Sequence, residues 1–303
     1  MQKPIYVIGS SNTDMVVMTH RLPSPGETVI GGTFFMNPGG KGANQAVAAA
    51  RLGGNVSFVA RIGEDLFGDK ALEQLKEEKI ITDYIIRDAD HPSGIALIGV
   101  DSQGENTIIV APGANGQLSI ADVKKVLQSI RSSAIILMQL EIPKQTAEFV
   151  LAESQRGGFE VILNPAPVQP IDPKLLNGLF MITPNESEAT LLTGIPVIDL
   201  PSAGKAAKAF QAMGVKSVII TLGSKGAYLS TPSVALHIPA RAVTAIDTTA
   251  AGDCFNGALA VALSEEMPME KAVLFACNAA SISVTQKGAQ GAMPYRRDLD
   301  ILQ

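Results

Sequence analysis

The chain contains no tryptophan, only four tyrosines, three histidines and two cysteines among its 303 residues. Cys254 and Cys277 are too few for a disulfide scaffold and suit a reduced, cytoplasmic compartment. His20, His91 and His237 match no triad or metal spacing and are read as non-catalytic. Charge is also scarce: Asp, Glu, Lys and Arg make up 17% of the chain, below the usual level of about 25%. Basic residues number 24 against 29 acidic ones, a net charge of −5. With no basic block to neutralise phosphates along a groove, nucleic acid is excluded as the main partner. Uninterrupted apolar runs are short, as at 134–138 and 258–263, far from the roughly 18 residues of a membrane span. The N-terminal residues run straight into Ile5-Tyr6-Val7-Ile8, too short an apolar region for a signal peptide.

What is plentiful is apolar and small. Hydrophobic residues reach 46%, with 28 glycines besides, so the chain has ample surface to bury and disorder is excluded. Apolar strand patterns at 5–9, 56–62, 135–140, 160–163, 180–183 and 217–222 alternate with helical patterns. The helices are expected at 44–51, 68–78, 119–129 with Ser119 as cap, 144–154, 202–213, 252–264 and 269–285. Near-continuous apolar strands separated by helices predict βαβ units and a mostly parallel sheet covered on both faces. Two stretches break this rhythm. Strand patterns at 13–19 and 28–36 flank Pro23-Ser24-Pro25-Gly26, and those at 95–101 and 107–111 flank Ser102-Gln103-Gly104-Glu105. Hairpins without crossover helices predict a small separate sheet, a β-lid formed by about 12–36 and 93–113 over a single α/β domain spanning 1–303.

Four motifs carry chemistry. Asn37-Pro38-Gly39-Gly40-Lys41-Gly42-Ala43-Asn44-Gln45 runs into a helix, where glycine-rich backbone presents free N–H groups and a positive dipole end. It is neither a P-loop, because Phe35 and Gly42 stand where Gly and Ser or Thr are needed, nor a dinucleotide fingerprint. Read structurally, it is a tight turn with glycines for close packing. Asp247-Thr248-Thr249-Ala250-Ala251-Gly252-Asp253 precedes another helix, and the N–H groups of 250–253 could receive phosphoryl oxygens. A carboxylate beside an anion hole repels phosphate, so Asp253 makes functional sense as a base taking the proton of an attacking hydroxyl; by itself it reads as a capping aspartate. Asn185 and Glu188 lie one helical turn apart and could orient waters around Mg²⁺, or simply begin a helix. Thr221-Leu222-Gly223-Ser224-Lys225-Gly226 is a strand end opening into a turn, alone a hairpin signal.

Together, and in this order, the four motifs identify the chain as resembling the ribokinase-type sugar kinases, the phosphofructokinase-B superfamily, over its whole length. The resemblance implies a three-layer α/β/α sandwich with a β-lid that doubles as a homodimer interface. It implies transfer of the γ-phosphoryl of MgATP to the terminal hydroxyl of a furanose, with ribose giving ribose 5-phosphate. Carried over by position, Asp253 is the general base, assisted by Lys41, and the backbone of Ala250, Ala251 and Gly252 is the anion hole. The sugar is expected at Asn12, Thr13, Asp14, Gly40, Lys41, Gly42, Ala43, Asn44, Glu141 and Asp253. The nucleotide is expected along Asn185, Thr221, Leu222, Gly223, Ser224, Lys225, Gly226, Gly252, Asp253, Cys277 and Asn278. A monovalent cation, K⁺, is implied at Asp247, Thr249, Ser283, Gln286, Gly288 and Ala292, mostly through carbonyl oxygens, and Mg²⁺ through water at Asn185 and Glu188.

Two departures from the family pattern carry expectations. Alanine stands at 250, where many members have glycine, which predicts an ordinary negative φ there. Cys277 replaces a polar residue at the adenine position, so either it packs as small apolar surface or Asn278 faces elsewhere. The competing readings are a kinase of another sugar, first 2-deoxyribose and then a nucleoside or hexose, and a non-catalytic sugar sensor on the same fold. An NAD-dependent oxidoreductase is disfavoured by the missing fingerprint.

Overall fold

A computed structural model of the chain describes residues 2–130, 133–157 and 159–300. Its main sheet alternates with helices as the apolar rhythm predicts. The strands are β1 (Ile5–Ile8), β4 (Val56–Gly63), β5 (Ile85–Asp88), β8 (Ile135–Met138), β9 (Glu160–Leu163), β10 (Met181–Ile182), β11 (Ser217–Thr221), β12 (Ala227–Ser230) and β13 (Ala235–Ile238). Their order across the sheet is β13-β12-β11-β10-β9-β8-β1-β4-β5. From β11 to β5 every pairing is parallel, and the β11–β12–β13 edge is antiparallel. Ile5 is in register with both Val56 and Ile135, so β1 lies at the centre of the early half.

Burial on both faces follows from the strand period of two. Ile5, Val7, Ile135, Leu137 and Ile162 face one core, together with α1 (Lys41–Arg51), α7 (Ala251–Ser264) and α8 (Met269–Ser283). Ile8, Ile136, Met138, Val161 and Leu163 face the other. That second core is covered by α3 (Ile120–Ser129), α4 (Lys144–Gly157) and α6 (Leu200–Ala212), with α5 (Glu186–Thr193) at its edge. This is a three-layer α/β/α sandwich. Helix α2 (Leu66–Glu77) and the short α9 (Arg296–Asp300) complete the set among the described residues. Ser119 caps α3 through a capping box with Asp122, as its position in the sequence implies.

The small sheet is formed by β2 (Asn12–Met18), β3 (Thr33–Gly39), β6 (Gly94–Val100) and β7 (Asn106–Ala111), in the order β3-β2-β6-β7. Both expected hairpins are present, and a parallel pairing of β2 with β6 joins them. The second strand begins at Thr33 rather than at 28, because Gly31 and Gly32 take φ of 109° and 121°, outside any ladder. Pro38 is tolerated because β3 is an edge strand. Met36, Leu97 and Ile109 stand in one cross-strand row and are exposed, with Phe34 and Val17 beside them on the same face.

Candidate active site

Strand order places a crevice where the chain turns outward from β1 to either side of the sheet, at the carboxyl ends of the strands. The polar residues that terminate those strands gather there: Ser10 and Asn12 after β1, Gln139 and Glu141 after β8, Asn164 after β9, Thr183 and Asn185 after β10.

Helix α1 enters this crevice backbone first. A Cβ on Gly42 would lie 2.5 Å from Ser10 N and 2.7 Å from Gly9 Cα, and Ala43 N donates to Ser10 O at 2.8 Å. Gly40, at φ 87°, precedes the helix where a Cβ would lie 2.7 Å from Asn12 N. Only glycine lets the helix start so close to β1. Glu141 seats its carboxylate at that helix start, accepting from Lys41 N at 3.0 Å and Ser10 Oγ at 2.6 Å. This is the end of the helix where the dipole favours an anion. Lys41 Nζ lies 3.9 Å from Glu141 Oε1.

The crossing of α1 and α7 is equally close. A Cβ on Gly257 would lie 2.7 Å from both Ala48 Cβ and Gln45 O. That contact brings short side chains on the two helices together. Asp253 Oδ2 accepts from Asn44 Nδ2 at 3.0 Å, and Oδ1 accepts from Gln45 Nε2 at 2.9 Å. Asp253 is buried. Burial drives its carboxyl above the ordinary range, Lys41, Asn44 and Gln45 draw it back, and Glu141 pushes it up again. Lys41 is pushed down by burial, but Asp253, Glu141, Glu188 and Asp14 leave it above its ordinary value and charged. Asp14 is raised to about 6, chiefly by burial, with Glu141 adding, Lys41 opposing and Asp253 adding. One lysine among several partly buried carboxylates, one of them at a helix N-terminus, is equipped to take a proton and steady an anion together.

The entry to α7 corrects one expectation. Ala250 is its N-cap with φ 58° and ψ 16°, the left-handed conformation, not a negative φ. Asp247 Oδ1 accepts from Thr249 N at 2.9 Å and its Oδ2 from Gly288 N at 2.9 Å, tying down the approach. The chain must then reverse within one residue to deliver Ala250 O to Cys254 N, at 2.9 Å. Left-handed backbone at a non-glycine residue costs about 1–2 kcal/mol, and the path of the chain overrides that local preference. Of the expected anion-hole amides, Ala251 N already makes a 3.2 Å bond to Thr248 O. The helix has no side-chain cap, so the next first-turn amides, of Gly252 and Asp253, stay available to an anion.

Asn12 and Asp14 lie on one face of β2, and the Asp14 carboxylate sits directly over Gly39. Asn12 Oδ1 accepts from Asn115 Nδ2 at 2.8 Å, which turns the Asn12 amide nitrogen outward. Thr13 is on the opposite face by strand alternation. With Asn12, Ala43, Gln74 and Gln290 it lines a pocket of about 190 Å³. Asn185 and Thr221 form a bridge between chain segments, and Gly223 to Lys225 are exposed beside it. Leu222 is buried in the core, and Gly226 has no room for a Cβ against Ile238 O. Asn185 Oδ1 caps α5 by accepting from Glu188 N at 2.8 Å, while Glu188 Oε2 accepts from Asn185 N at 2.9 Å. Burial raises Glu188, opposed by the Asn185 N–H and Lys41. Cys277 is buried in the core and burial pushes its thiol up to about 12, so it packs as a small apolar residue beside half-buried Asn278.

Asp247 also joins the segments expected to hold a cation. Besides reaching Gly288 and Thr249, its N–H donates to Val284 O at 3.2 Å, next to Ser283. Ser283 donates its hydroxyl hydrogen back to Ala280 O at 2.9 Å, so both its hydroxyl oxygen lone pairs and its carbonyl remain for such a role. Among the described residues no group of three or more His, Cys, Asp or Glu side chains gathers for a metal ion.

Several participants were given no role from the sequence, Gln45 although it stands in the first motif: Ser10, Gln45, Gln74, Asn115, Gln139, Asn164, Thr183, Asn256 and Gln290. Gln45 Nε2 bonds Asn164 Oδ1 at 3.0 Å as well as Asp253, and Gln139 Nε2 donates to Gln45 Oε1 at 2.5 Å. Thr183 Oγ1 donates to Asn256 Oδ1 at 2.6 Å, and Asn256 Nδ2 to Gly252 O at 2.8 Å, so the network also supports the start of α7. The available signal was a polar residue closing an apolar strand, as at Gln139, Asn164 and Thr183.

Known proteins are similar to this chain in sequence and fold. The sequence profile of the pfkB family carbohydrate kinases matches residues 2–296. A ribokinase from Haemophilus influenzae is 44% identical over 298 residues, covering 98% of this chain and 97% of the relative. A deoxyribokinase from Salmonella typhi is 37% identical over 295 residues, covering 96% and 95%. The structure of Arabidopsis thaliana ribokinase complexed with ribose and ATP matches with a TM-score of 0.91 at 36% identity, covering 100% of this chain and 99% of that one.

Proposed function

The chain belongs to the pfkB family of carbohydrate kinases, and within it we propose that it moves the γ-phosphoryl group of ATP to the 5-hydroxyl of D-ribose. The observation that carries this reading is Asp253, a buried carboxylate in the first turn of α7, aligned by Asn44 and Gln45 and facing Lys41. Asp253 takes the hydroxyl proton as the sugar oxygen bonds to the γ-phosphorus. The bond from that phosphorus to the β,γ-bridging oxygen breaks, and ADP leaves with the electron pair. The first-turn amides of Ala250 to Gly252 and the Lys41 ammonium stabilise the charge on the transferring group. Asn12, Asp14, Gly40, Asn44 and Glu141 match the ring hydroxyls, where an unmatched buried polar group costs about 1–3 kcal/mol.

The nucleotide lies along Asn185, Thr221 and Gly223 to Lys225, reaching toward Asn278. Asn185 and the half-buried Glu188 carboxylate would hold Mg²⁺ through water, and the ion would supply neutralisation of the phosphate charge. The Asp247 bridge between the 247–249 and 284–288 segments supports a K⁺ site of carbonyl oxygens beside the anion hole. The small sheet acts as a lid, and its exposed row of Met36, Leu97 and Ile109 supports a homodimer formed through it. Two unpaired, buried thiols suit a cytoplasmic setting, and among the described residues no helix is long and apolar enough to cross a membrane.

The test is an ADP-coupled assay across pentoses, deoxypentoses, hexoses and nucleosides, in K⁺ and in Na⁺. Ribose is expected to have the highest kcat/KM, and turnover to rise in K⁺. Equal kcat/KM for 2-deoxyribose would overturn the ribose assignment, and indifference to the cation would remove the K⁺ site.

A further inference from the structure

Asn44 stands between the base and a second amide that no motif pointed to. An ionised carboxylate only accepts hydrogen bonds, so Asn44 must turn Nδ2 toward Asp253 Oδ2, at 3.0 Å. Its Oδ1 then faces inward and needs a donor. Gln290 Nε2 supplies it at 3.1 Å, and Gln290 Oε1 in turn accepts from Gln74 Nε2 at 2.8 Å. The direction of this amide chain is dictated from one end by the carboxylate. Asn44 and Gln290 are 6% and 3% exposed, so water does not replace a lost partner freely.

Gln290 is itself held from the same helix that carries Asn44. Arg51, at the far end of α1, donates through Nη1 to Gln290 O at 2.7 Å and Met293 O at 2.9 Å. Glu78 pairs with its other edge at 2.6 Å, and Tyr295 lies 4.9 Å beneath the guanidinium. The 3₁₀ turn Gln290–Ala292 is thus pinned by main chain and side chain to one helix. The pocket of about 190 Å³ borders both Gln290 and Gln74. A side chain there has space to swing, and the hydrogen bonds rather than close packing hold it in place.

Resting on the reading of Asn44 as a sugar contact and Asp253 as the base, we propose that Gln290 is a positioning residue for phosphoryl transfer: it locks the Asn44 amide in the one orientation that serves both. The two orientations of an amide have nearly the same shape. Without the donor from Gln290, the Asn44 oxygen is left bare in the interior, and the flipped form, which presents oxygen to the sugar and the carboxylate, becomes competitive.

The experiment measures steady-state kinetics of the full-length chain with ribose and ATP for Gln290→Leu, Asn44→Ala and the double variant. Gln290→Leu is expected to raise the KM for ribose about tenfold while the KM for ATP stays within about twofold. In the Asn44→Ala background the same substitution is expected to add less than about twofold, because its route to the site is gone. An unchanged ribose KM, a loss confined to kcat, or the same factor in both backgrounds would overturn the proposal. If Gln290→Leu does not fold, Gln290→Glu keeps the volume but has no donor once ionised, and must show the same split. Asp253→Asn and Asn44→Ala, measured alongside, separate the two levels. Should Asp253→Asn keep its activity, or Asn44→Ala its ribose KM, the underlying reading fails. Should both lose function while the Gln290 variants match the parent, only the positioning role fails.

Discussion

Asn44 Nδ2 lies 3.0 Å from Asp253 Oδ2, although 209 residues separate the two in the chain. The contact exists because α1 and α7 cross at Gly257, where any side chain would meet Ala48 and Gln45. It leaves the Asp253 carboxylate held on both oxygens by amides, aimed but not neutralised by an ion pair of its own. A base so placed is ready before the sugar arrives.

Replacing Asp253 with asparagine removes the proton acceptor and keeps the shape. The kcat for ribose phosphorylation is expected to fall about 10²–10⁴-fold, with the ribose KM changed far less. Steady-state kinetics decide it. A variant that keeps more than half of the parent kcat would remove Asp253 from the role of base.

Asp14 makes stability depend on pH. Its folded carboxyl, raised to about 6, lies above the ordinary value of 3.8, so between those values the folded chain keeps a proton that the unfolded chain has lost. By linkage, this group's contribution to stability falls as pH rises from about 4 to about 6 and is level above. Asp14→Asn removes that loss. Its melting temperature, compared with the parent in ligand-free buffers from pH 4 to 8, is expected to gain on the parent across this window, while ribose affinity drops. A difference that does not grow with pH contradicts the assignment.

Ala250 holds φ at 58°, so Ala250→Gly relieves a strained conformation. The variant also gains unfolded-state freedom, which offsets part of the effect. The net expectation is a stabilisation of about 0.5–1 kcal/mol, or roughly 1–4 °C in melting temperature. Calorimetry that shows a lower melting temperature would mean the left-handed turn is not the strain it is taken to be.

The exposed row on the small sheet predicts an association. Ile109→Lys puts a charge in the middle of an apolar face that includes Met36 and Leu97. Sedimentation velocity is expected to show a dimer for the parent and a monomer for the variant, with the monomer fully folded by circular dichroism. A parent that sediments as a monomer at tens of micromolar would rule out the interface.

Much of the scaffold is legible in the sequence. Strands such as Ile135–Met138 are apolar on both sides, and helices such as Ile120–Ser129 carry their own caps, so each declares itself within a few residues. Edge elements do not. β5, β12 and β13 are no shorter than β8, but they mix polar with apolar residues (Arg87 and Asp88, Ser230, His237), so no continuous apolar run marks them, and α5 was visible only as a possible helix start at Asn185. The hairpins of the small sheet were readable from their turns, but the parallel pairing of β2 with β6 was not, since no local signal links strands so far apart.

The site divides in the same way. By itself the sequence determined the glycine-flanked helix starts and Asp253 in a first turn, because these depend on neighbours in the chain. Only the tertiary structure decided that Gln45 and Asn44 share Asp253, that Gln290 stands behind Asn44, and that Ala250 is left-handed. Hydrogen-bond partners from distant segments are chosen by which helices cross and how closely. A strained backbone angle is imposed by where the chain must go next, and a residue's own propensity has no say in either.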